Sequence, residues 1–160
     1  MSRNNLLTGV AAQAQSLPNL MVDAKYGSAA QIMALPAARL VGILEDPGAS
    51  VYARAKACQR LAVIGDRSAV PALGKLLAHP QLAVYARFAL EPLPDPAADD
   101  ALRAALPAAE GKLLVGIVNS IGQRRKDGKV LAALEKLRHN ADLEVAQAAD
   151  SALARIRRPL

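Results

Sequence analysis

A four-residue word, Val-Tyr-Ala-Arg, occurs twice in this chain and limits the folds open to it. It spans residues 51–54 and recurs unchanged at residues 84–87, an offset of 33 residues. A second pair of similar words, residues 72–76 and 133–137, is offset by 61 residues, slightly under two periods of the first. Self-similarity at a period of about 20–50 residues is typical of stacked supersecondary units. The chain is therefore predicted to be a repeat protein.

The apolar residues inside each unit follow a helical period of about 3.6 residues. The first helix of the first unit has one such stripe: Val51, Ala55, Cys58, Leu61 and Ala62. We therefore expect an almost entirely helical protein without a strand ladder, in which each unit is a pair of helices joined by a turn. The stripe positions expected to be buried are Ala55, Cys58, Leu61, Val70, Leu73, Ile117, Ile121, Leu134, Ala149 and Ile156.

Polar residues and prolines mark the boundaries of the predicted helices. Ser68, Asp99 and Asp127 stand where helix N-caps are needed, since a short side-chain oxygen can accept a hydrogen bond from a free amide of the first turn. The second unit departs from the first, because three prolines within residues 92–96 remove backbone donors and clash with the preceding turn. Its first helix is predicted to end after about Leu90.

The composition agrees with a core of helices packed on helices. Apolar residues make up 52% of the 160 residues, but aromatic residues only 2%, with no tryptophan. The core must then be built from Ala, Leu, Val and Ile. The single cysteine, Cys58, excludes an intrachain disulfide and a Cys-x-x-Cys metal site. No uncharged apolar stretch is long enough to predict a membrane span.

Residues 63–73, Val-Ile-Gly-Asp-Arg-Ser-Ala-Val-Pro-Ala-Leu, resemble the turn and second-helix opening of a HEAT repeat. Together with the Asp-Pro entry and the Val-x-x-Arg opening, the similarity to bacterial-type HEAT repeat proteins covers roughly residues 34–158. The resemblance implies an all-α fold, a right-handed α-solenoid of stacked antiparallel helical hairpins with about three and a half repeats. Such armadillo-like families hold protein partners, so it implies a scaffold or adaptor without enzymatic chemistry. Residues 1–28 are interpreted as an N-terminal arm or helix with a linker, and residues 29–160 as the repeat domain.

Two residue types recur with the repeated word and are candidates for binding a protein or peptide partner. Tyr52 and Tyr85 either pack with their hydroxyls at the rim or form an exposed recognition pair. Arg54 and Arg87 either bridge turn carbonyls and neighbouring carboxylates as a ladder or present a ligand-binding row. No catalytic or cofactor-binding residue is predicted, because the chain has no phosphate-binding loop, nucleotide fingerprint, Ser/His/Asp set or His-Glu-x-x-His motif.

Metal binding is not predicted either. His79 and His139 fall two units apart, too far to share an ion, and Cys58 on the inner stripe is interpreted as a core residue. Asn119 and Ser120 lie inside an apolar helix, where buried polar groups must be hydrogen-bonded. We expect them to bond to a neighbouring helix.

The net charge of +6 is concentrated at the C-terminal end, where residues 101–160 carry eleven basic and six acidic groups. Its densest cluster supplies further candidates for partner binding: Arg124, Arg125, Lys126 and Lys129. The cluster is either a solvated cap that keeps an Ala-rich protein in solution or a surface for phosphate backbones. Nucleic-acid binding is therefore the alternative function, against which stands the scarcity of aromatic residues for stacking on bases.

Residues 1–14 weakly resemble a secretory signal peptide, with Arg3 before a short apolar stretch and a small-x-small motif at the end. The stretch contains Thr8 and Gly9 and lacks a strongly basic beginning. A cytoplasmic protein is therefore expected, with export as the alternative.

Overall fold

The computed structural model describes residues 21–125 and 127–158, and this part of the chain is mostly helical, as predicted. Its helices are α1 (Ala29–Met33), α2 (Ala37–Glu45), α3 (Val51–Ile64), α4 (Val70–Leu76), α5 (Ala83–Leu90), α6 (Ala97–Ala105), α7 (Gly111–Arg124), α8 (Leu131–Leu137) and α9 (Leu143–Arg157). Short 3-10 turns lead into α4 and α8 and follow α6. The expectation of no strand ladder was wrong, because β1 (Val22–Asp23) and β2 (Gly27–Ser28) form a small antiparallel ladder.

The helices contact one another in two successions. In the first, α3 packs on α5, α5 on α7, and α7 on α9; in the second, α2 packs on α4 and α4 on α6. The two successions are joined where α2 meets α3, α4 meets α5, and α6 meets α7, while α8 packs on α9. Every helix therefore packs on helices that are near it in the sequence.

The apolar stripe predicted from the sequence forms the core. Of the ten positions expected to be buried, nine are buried and Ile156 is half-buried. Two members of the first stripe differ from the rest, since Val51 is 38% exposed and Ala62 is half-buried. Val51, the first residue of α3, is exposed, whereas Ala53 in the same turn is fully buried.

The proline-rich interruption ends the first helix of the second unit as predicted. Helix α5 stops at Leu90 and α6 begins at Ala97. Residues 91–96 cross between them, with the Glu91 amide still bonded to the Arg87 carbonyl at 2.9 Å and the Leu93 amide to the Leu90 carbonyl at 3.3 Å. In the first unit, by contrast, α3 continues to Ile64 before its turn. The backbone carbonyls released at the end of α5 need donors from elsewhere, because buried carbonyls are almost always hydrogen-bonded.

The predicted N-caps are confirmed at one position and wrong at two. Asp127 accepts a hydrogen bond from the Lys129 amide at 3.0 Å and so caps the 3-10 turn before α8. Ser68 is not the cap before α4, because Asp66 precedes it and accepts hydrogen bonds from both its amide, at 2.8 Å, and its hydroxyl. Asp99 lies inside α6, where its carboxylate is buried in an ion pair.

Asp23 fastens the N-terminal hairpin to the start of α3. Its Oδ1 accepts hydrogen bonds from the amides of Lys25 and Tyr26, both at 2.8 Å, and its Oδ2 accepts one from the Ser50 amide at 2.9 Å. Burial raises the pKa of the Asp23 carboxyl, but hydrogen bonds from Ser50, Tyr26 and Lys25 outweigh it and hold the pKa at about 2. The hairpin thereby holds Met21 beside the first turn of α3.

Within the described residues, none of the helices combines the length and the apolar character that crossing a bilayer requires. The signal-like stretch at residues 1–14 lies outside the described part of the chain.

Candidate partner-binding site

Tyr52 and Tyr85, which occupy equivalent positions in successive repeats, line one groove between α3 and α5. The groove has a cavity volume of about 410 Å³. Its other lining residues are Met21, Val51, Ala55, Lys56, Gln59 and Gln81. Both tyrosines are half-buried and pack against the core, which leaves part of each side chain open to the groove. The structure thus brings together the two tyrosines that the sequence put forward as candidates.

Large apolar side chains are exposed in the groove, at Met21 and Val51, and elsewhere on α5, at Val84 and Phe88. Met21 is 63% exposed beside Val51, and on α5 Val84 is 37% and Phe88 55% exposed. Val84 and Phe88 are four residues apart, one helical turn, on the side of α5 that also carries Tyr85. A contiguous exposed apolar group is typical of a binding surface, whereas scattered exposed apolar residues are ordinary. The name α3/α5 face is used below for Met21, Val51, Tyr52, Lys56, Val84, Tyr85 and Phe88.

Lys56 provides the charge in the groove. Its Nζ donates a hydrogen bond to Gln59 Oε1 at 3.1 Å and lies 5.7 Å from the centroid of the Tyr52 ring. An ammonium at that distance from a ring is held by the negative face of the aromatic system. Because the hydrogen bond goes to a neutral amide, the positive charge of Lys56 is not neutralised within the groove.

Arg54 and Arg87 hold the helices in place but do so differently. Arg54 Nη2 donates to the backbone carbonyl of Asp46, in the turn before α3, as a ladder of turn contacts predicts. Arg87 departs from that prediction, since its Nη1 donates to the Gly116 carbonyl at 2.9 Å and to Ser120 Oγ at 3.0 Å, both inside α7. Helix α5 packs on α7, and Arg87 bonds across that contact. Neither guanidinium lines the groove.

Ser120 is the acceptor that the repeat places opposite Arg87. It is fully buried, lies 33 residues after Arg87, and donates its own hydrogen bond to Glu91 Oε1 at 2.6 Å. The expected bonding of Ser120 to a neighbouring helix is therefore confirmed. Gly116 leaves room for this guanidinium, since a Cβ atom there would lie 2.7 Å from Arg87 Cζ and would displace it.

Arg124 is not available to a partner, which corrects its place among the candidate binding residues. Its side chain is 2% exposed, and its guanidinium pairs with the Asp99 carboxylate, with Nε to Oδ1 at 2.5 Å and Nη2 to Oδ2 at 2.9 Å. Its Nη1 also donates to the carbonyls of Leu90 at 2.7 Å and Leu93 at 2.6 Å. Arg124 therefore supplies the donors that the interrupted end of α5 needs.

The remaining residues of the basic cluster have separate environments. Arg125 adopts a left-handed conformation, with φ of 56°, and donates from Nε to the Arg155 carbonyl and from Nη2 to the Arg158 carbonyl, both at 2.9 Å. Its cation thereby lies at the C-terminal end of α9, where a positive charge is favourable. Lys129 is exposed, and Lys126 lies outside the described residues. The cluster is thus not one continuous basic surface.

A second basic region was missed in the sequence. Residues 47–90 carry six basic residues and one acidic residue, Asp66. Four of the six lie on α3 and α5, which have no carboxylate of their own: Arg54, Lys56, Arg60 and Arg87. Counting in blocks of fifty residues hides this excess, because four acidic residues follow within residues 91–100. Counting charge helix by helix would have found it.

The described residues offer little for covalent or metal chemistry. Burial raises the pKa of the Cys58 thiol to about 12, so the thiolate that would act as a nucleophile is not formed near neutral pH. Over residues 21–125 and 127–158, no three His, Cys, Asp or Glu side chains converge as a metal ion would require. The arrangement of side chains at the α3/α5 face suits binding.

The chain was compared with models of known protein families and with curated proteins, and neither comparison finds a match.

Proposed function

We propose that this protein is a non-enzymatic protein-interaction scaffold or adaptor, and that its partner binds at the α3/α5 face. We further propose that its helices form a HEAT-like, right-handed α-solenoid of about three and a half hairpins. The two successions of helix contacts support this architecture, because first helices would stack on first helices and second helices on second helices. The hydrogen bond between Arg87 and Ser120, one period apart, supports it as well.

The observation that carries the binding proposal is the pairing of repeated tyrosines with exposed apolar side chains at one groove. Tyr52 and Tyr85 lie in the same groove, and Phe88, which is 55% exposed, projects from the same side of α5. Tyrosine is enriched among residues that dominate interface energies, because it adds a large apolar area and a polar tip at low entropic cost. Solvent-exposed Phe and Val gain from being covered by about 25 cal/mol per Å² of apolar area.

Nucleic-acid binding through the C-terminal cluster has less support. Of the cations proposed for phosphate contact, Arg124 is buried against Asp99 and Arg125 is bonded to the end of α9. A phosphate contact requires a cation that is free to displace condensed counterions. Of the three members of the cluster that the structure describes, Arg124 is buried, Arg125 is half-buried and Lys129 alone is exposed.

Site-specific photo-crosslinking in cells that express the full chain tests the proposal. Phe88 is replaced by the photoreactive p-benzoylphenylalanine, which is close to it in shape. Leu143, which is 74% exposed on α9, takes the same replacement as a matched control. We expect discrete protein adducts from position 88 that are lost when Tyr85→Ala is added, and none of these from position 143.

Equal adducts at both positions, or none at position 88, would reject the α3/α5 face as a binding site. Nuclease-sensitive adducts would favour nucleic acid instead. A separate check is a salt titration with labelled duplex and single-stranded DNA, for which we expect affinity weaker than about micromolar at about 150 mM salt.

A further inference from the structure

The helices that form the α3/α5 face are basic, and Lys56 places one of their cations in the groove. Helix α3 carries three basic residues and α5 one, and neither carries an acidic residue. Asp66 is the single acidic residue between positions 47 and 90. Its carboxylate accepts hydrogen bonds from the amide and the hydroxyl of Ser68, within the same turn. The sequence around the groove therefore offers a partner cations without competing carboxylates.

Glu91 favours the charged form of Arg87 and so compensates part of the charge of α5, but Lys56 and Arg54 bond to uncharged groups. Lys56 donates to the amide of Gln59, and Arg54 donates to a backbone carbonyl. The nearest carboxylate before α3 is Asp46, whose Oδ2 already accepts from Lys25 Nζ at 2.8 Å and from Tyr26 Oη at 2.6 Å. In the C-terminal helices, by contrast, the basic side chains that form ion pairs with carboxylates are Arg103, Arg124, Arg138 and Arg157. Lys56 is thus a cation in the lining of the groove that has no carboxylate partner among the described residues.

The exposed side of α3 extends from the groove at Tyr52 toward the C-terminal end of the helix. Tyr52, Lys56, Gln59 and Val63 follow at spacings of four, three and four residues, which is one helical stripe. Val63 is 74% exposed, so the stripe begins and ends with an apolar residue and has polar residues between. Tyr52 and Val63 are eleven positions apart, which corresponds to about 16 Å along the helix axis. A bound helical segment of about three turns has the same length.

We propose that the α3/α5 face binds a short acidic segment of a partner protein, with aliphatic or aromatic anchors flanked by Asp or Glu. This inference rests on the proposed function and adds the chemistry of the partner. The anchors lie between Tyr52 and Tyr85, and a carboxylate faces Lys56. Complementary charge fixes the register of such a segment and speeds its association. A nucleic acid fits less well, because Met21 and Val84 offer its backbone no donor.

Peptide selection followed by charge reversal tests this inference. Random peptides displayed on phage are selected on the full-length protein, and the clones retained are those that fail to bind a Tyr85→Ala/Phe88→Ala variant. We expect these clones to be enriched in Asp and Glu beside Leu, Ile or Phe. Synthetic peptides from them should lose about tenfold in affinity with Lys56→Glu, and their binding should weaken as salt is raised.

Lys129→Glu is the matched control, since it makes the same charge change at an exposed lysine in another part of the chain. Equal losses from Lys56→Glu and Lys129→Glu would overturn the inference, because the effect would then be one of net charge. Retained clones that are neutral or basic would overturn it too while leaving the proposed function intact. If no clone depends on the two aromatic side chains, both proposals fail.

The chain itself supplies a useful competitor. A synthetic peptide of residues 1–20 has an apolar middle, one basic residue and no acidic residue. If this peptide binds the face more tightly than the selected acidic peptides, the groove is a site for the protein's own N-terminal segment and the inference is wrong. Weak or absent binding supports it.

Discussion

Arg124→Met should lower the free energy of unfolding by about 4 kcal/mol, because it removes the buried cation that fills the interruption between α5 and α6. Methionine is a good helix former and retains most of the length of the side chain, so we expect α7 to keep its helical conformation in the variant. What changes is the charge and the set of donors.

The magnitude follows from what Arg124 touches. The Asp99 side chain is 9% exposed, so without its partner a buried carboxylate is left unpaired, which costs about 3–5 kcal/mol. The Leu93 carbonyl loses a donor as well, at a cost of about 1–3 kcal/mol, while the Leu90 carbonyl keeps the bond from the Leu93 amide at 3.3 Å. These costs are not additive, because the affected groups share one partner and water can reach the vacated space, so the total falls below their sum.

Urea unfolding followed by circular dichroism measures the effect. With a slope of about 2 kcal/mol per molar, the midpoint should fall by about 2 M. Lys129→Met, from the same basic cluster in the sequence, is the control and should change stability by less than about 0.5 kcal/mol. Adding Asp99→Leu to Arg124→Met should restore part of the loss by removing the orphaned anion. A loss from Arg124→Met no larger than that from Lys129→Met would refute the structural role assigned to Arg124.

Two further predictions concern packing and acid stability. Gly122→Ala should cost about 1–3 kcal/mol, since its Cβ would lie 2.9 Å from Ala152 Cα on α9, whereas Gly74→Ala, with 3.7 Å to Ala101 Cβ, should be neutral or stabilising; equal midpoints in urea would contradict this. Folding lowers the pKa of Asp23 from 3.8 to about 2, so its carboxylate contributes fully above about pH 5 and loses about 2 kcal/mol of stabilisation as the pH falls to 2. The stability difference between the wild type and Asp23→Asn should shrink over that range, and a constant difference would contradict the assignment.

Apolar periodicity predicted the core well because the period of a helix is fixed by backbone geometry alone. Leu73 and Ile117 are buried where their spacing places them, whichever helix covers them. Val51 shows the limit of that argument. It falls on the same stripe, but the sequence does not tell which side chains of the first turn of α3 the neighbouring elements leave exposed.

Charged residues were harder to place because their surroundings come from distant parts of the chain. Arg124 stands in a basic run, yet its carboxylate partner is 25 residues earlier and its carbonyl partners exist only because the prolines end α5. Arg54 and Arg87 share a four-residue word but bond to a turn and to a helix respectively. The repeated word therefore predicted where each arginine lies on its helix, but it did not predict which groups each one bonds to.

The sequence identified the two tyrosines of the candidate site but not its other residues. Tyr52 and Tyr85 were marked by repetition, and the repeat offset brings them into one groove. Phe88 has no counterpart one period earlier, where Ala55 stands, so repetition could not mark it. Lys56 became prominent only when the charges of α3 were counted separately.

The succession of contacts between helices near in sequence also bears on how fast the chain folds. Bringing two neighbouring helices together closes only a short loop, and the entropy lost in closing a loop grows with its length. Proteins dominated by such local contacts have low contact order and fold within about microseconds to milliseconds. Helix α7 contacts α5 and α6 before it and α9 after it. A stopped-flow or temperature-jump trace slower than this range would show that assembly around α7 limits the rate.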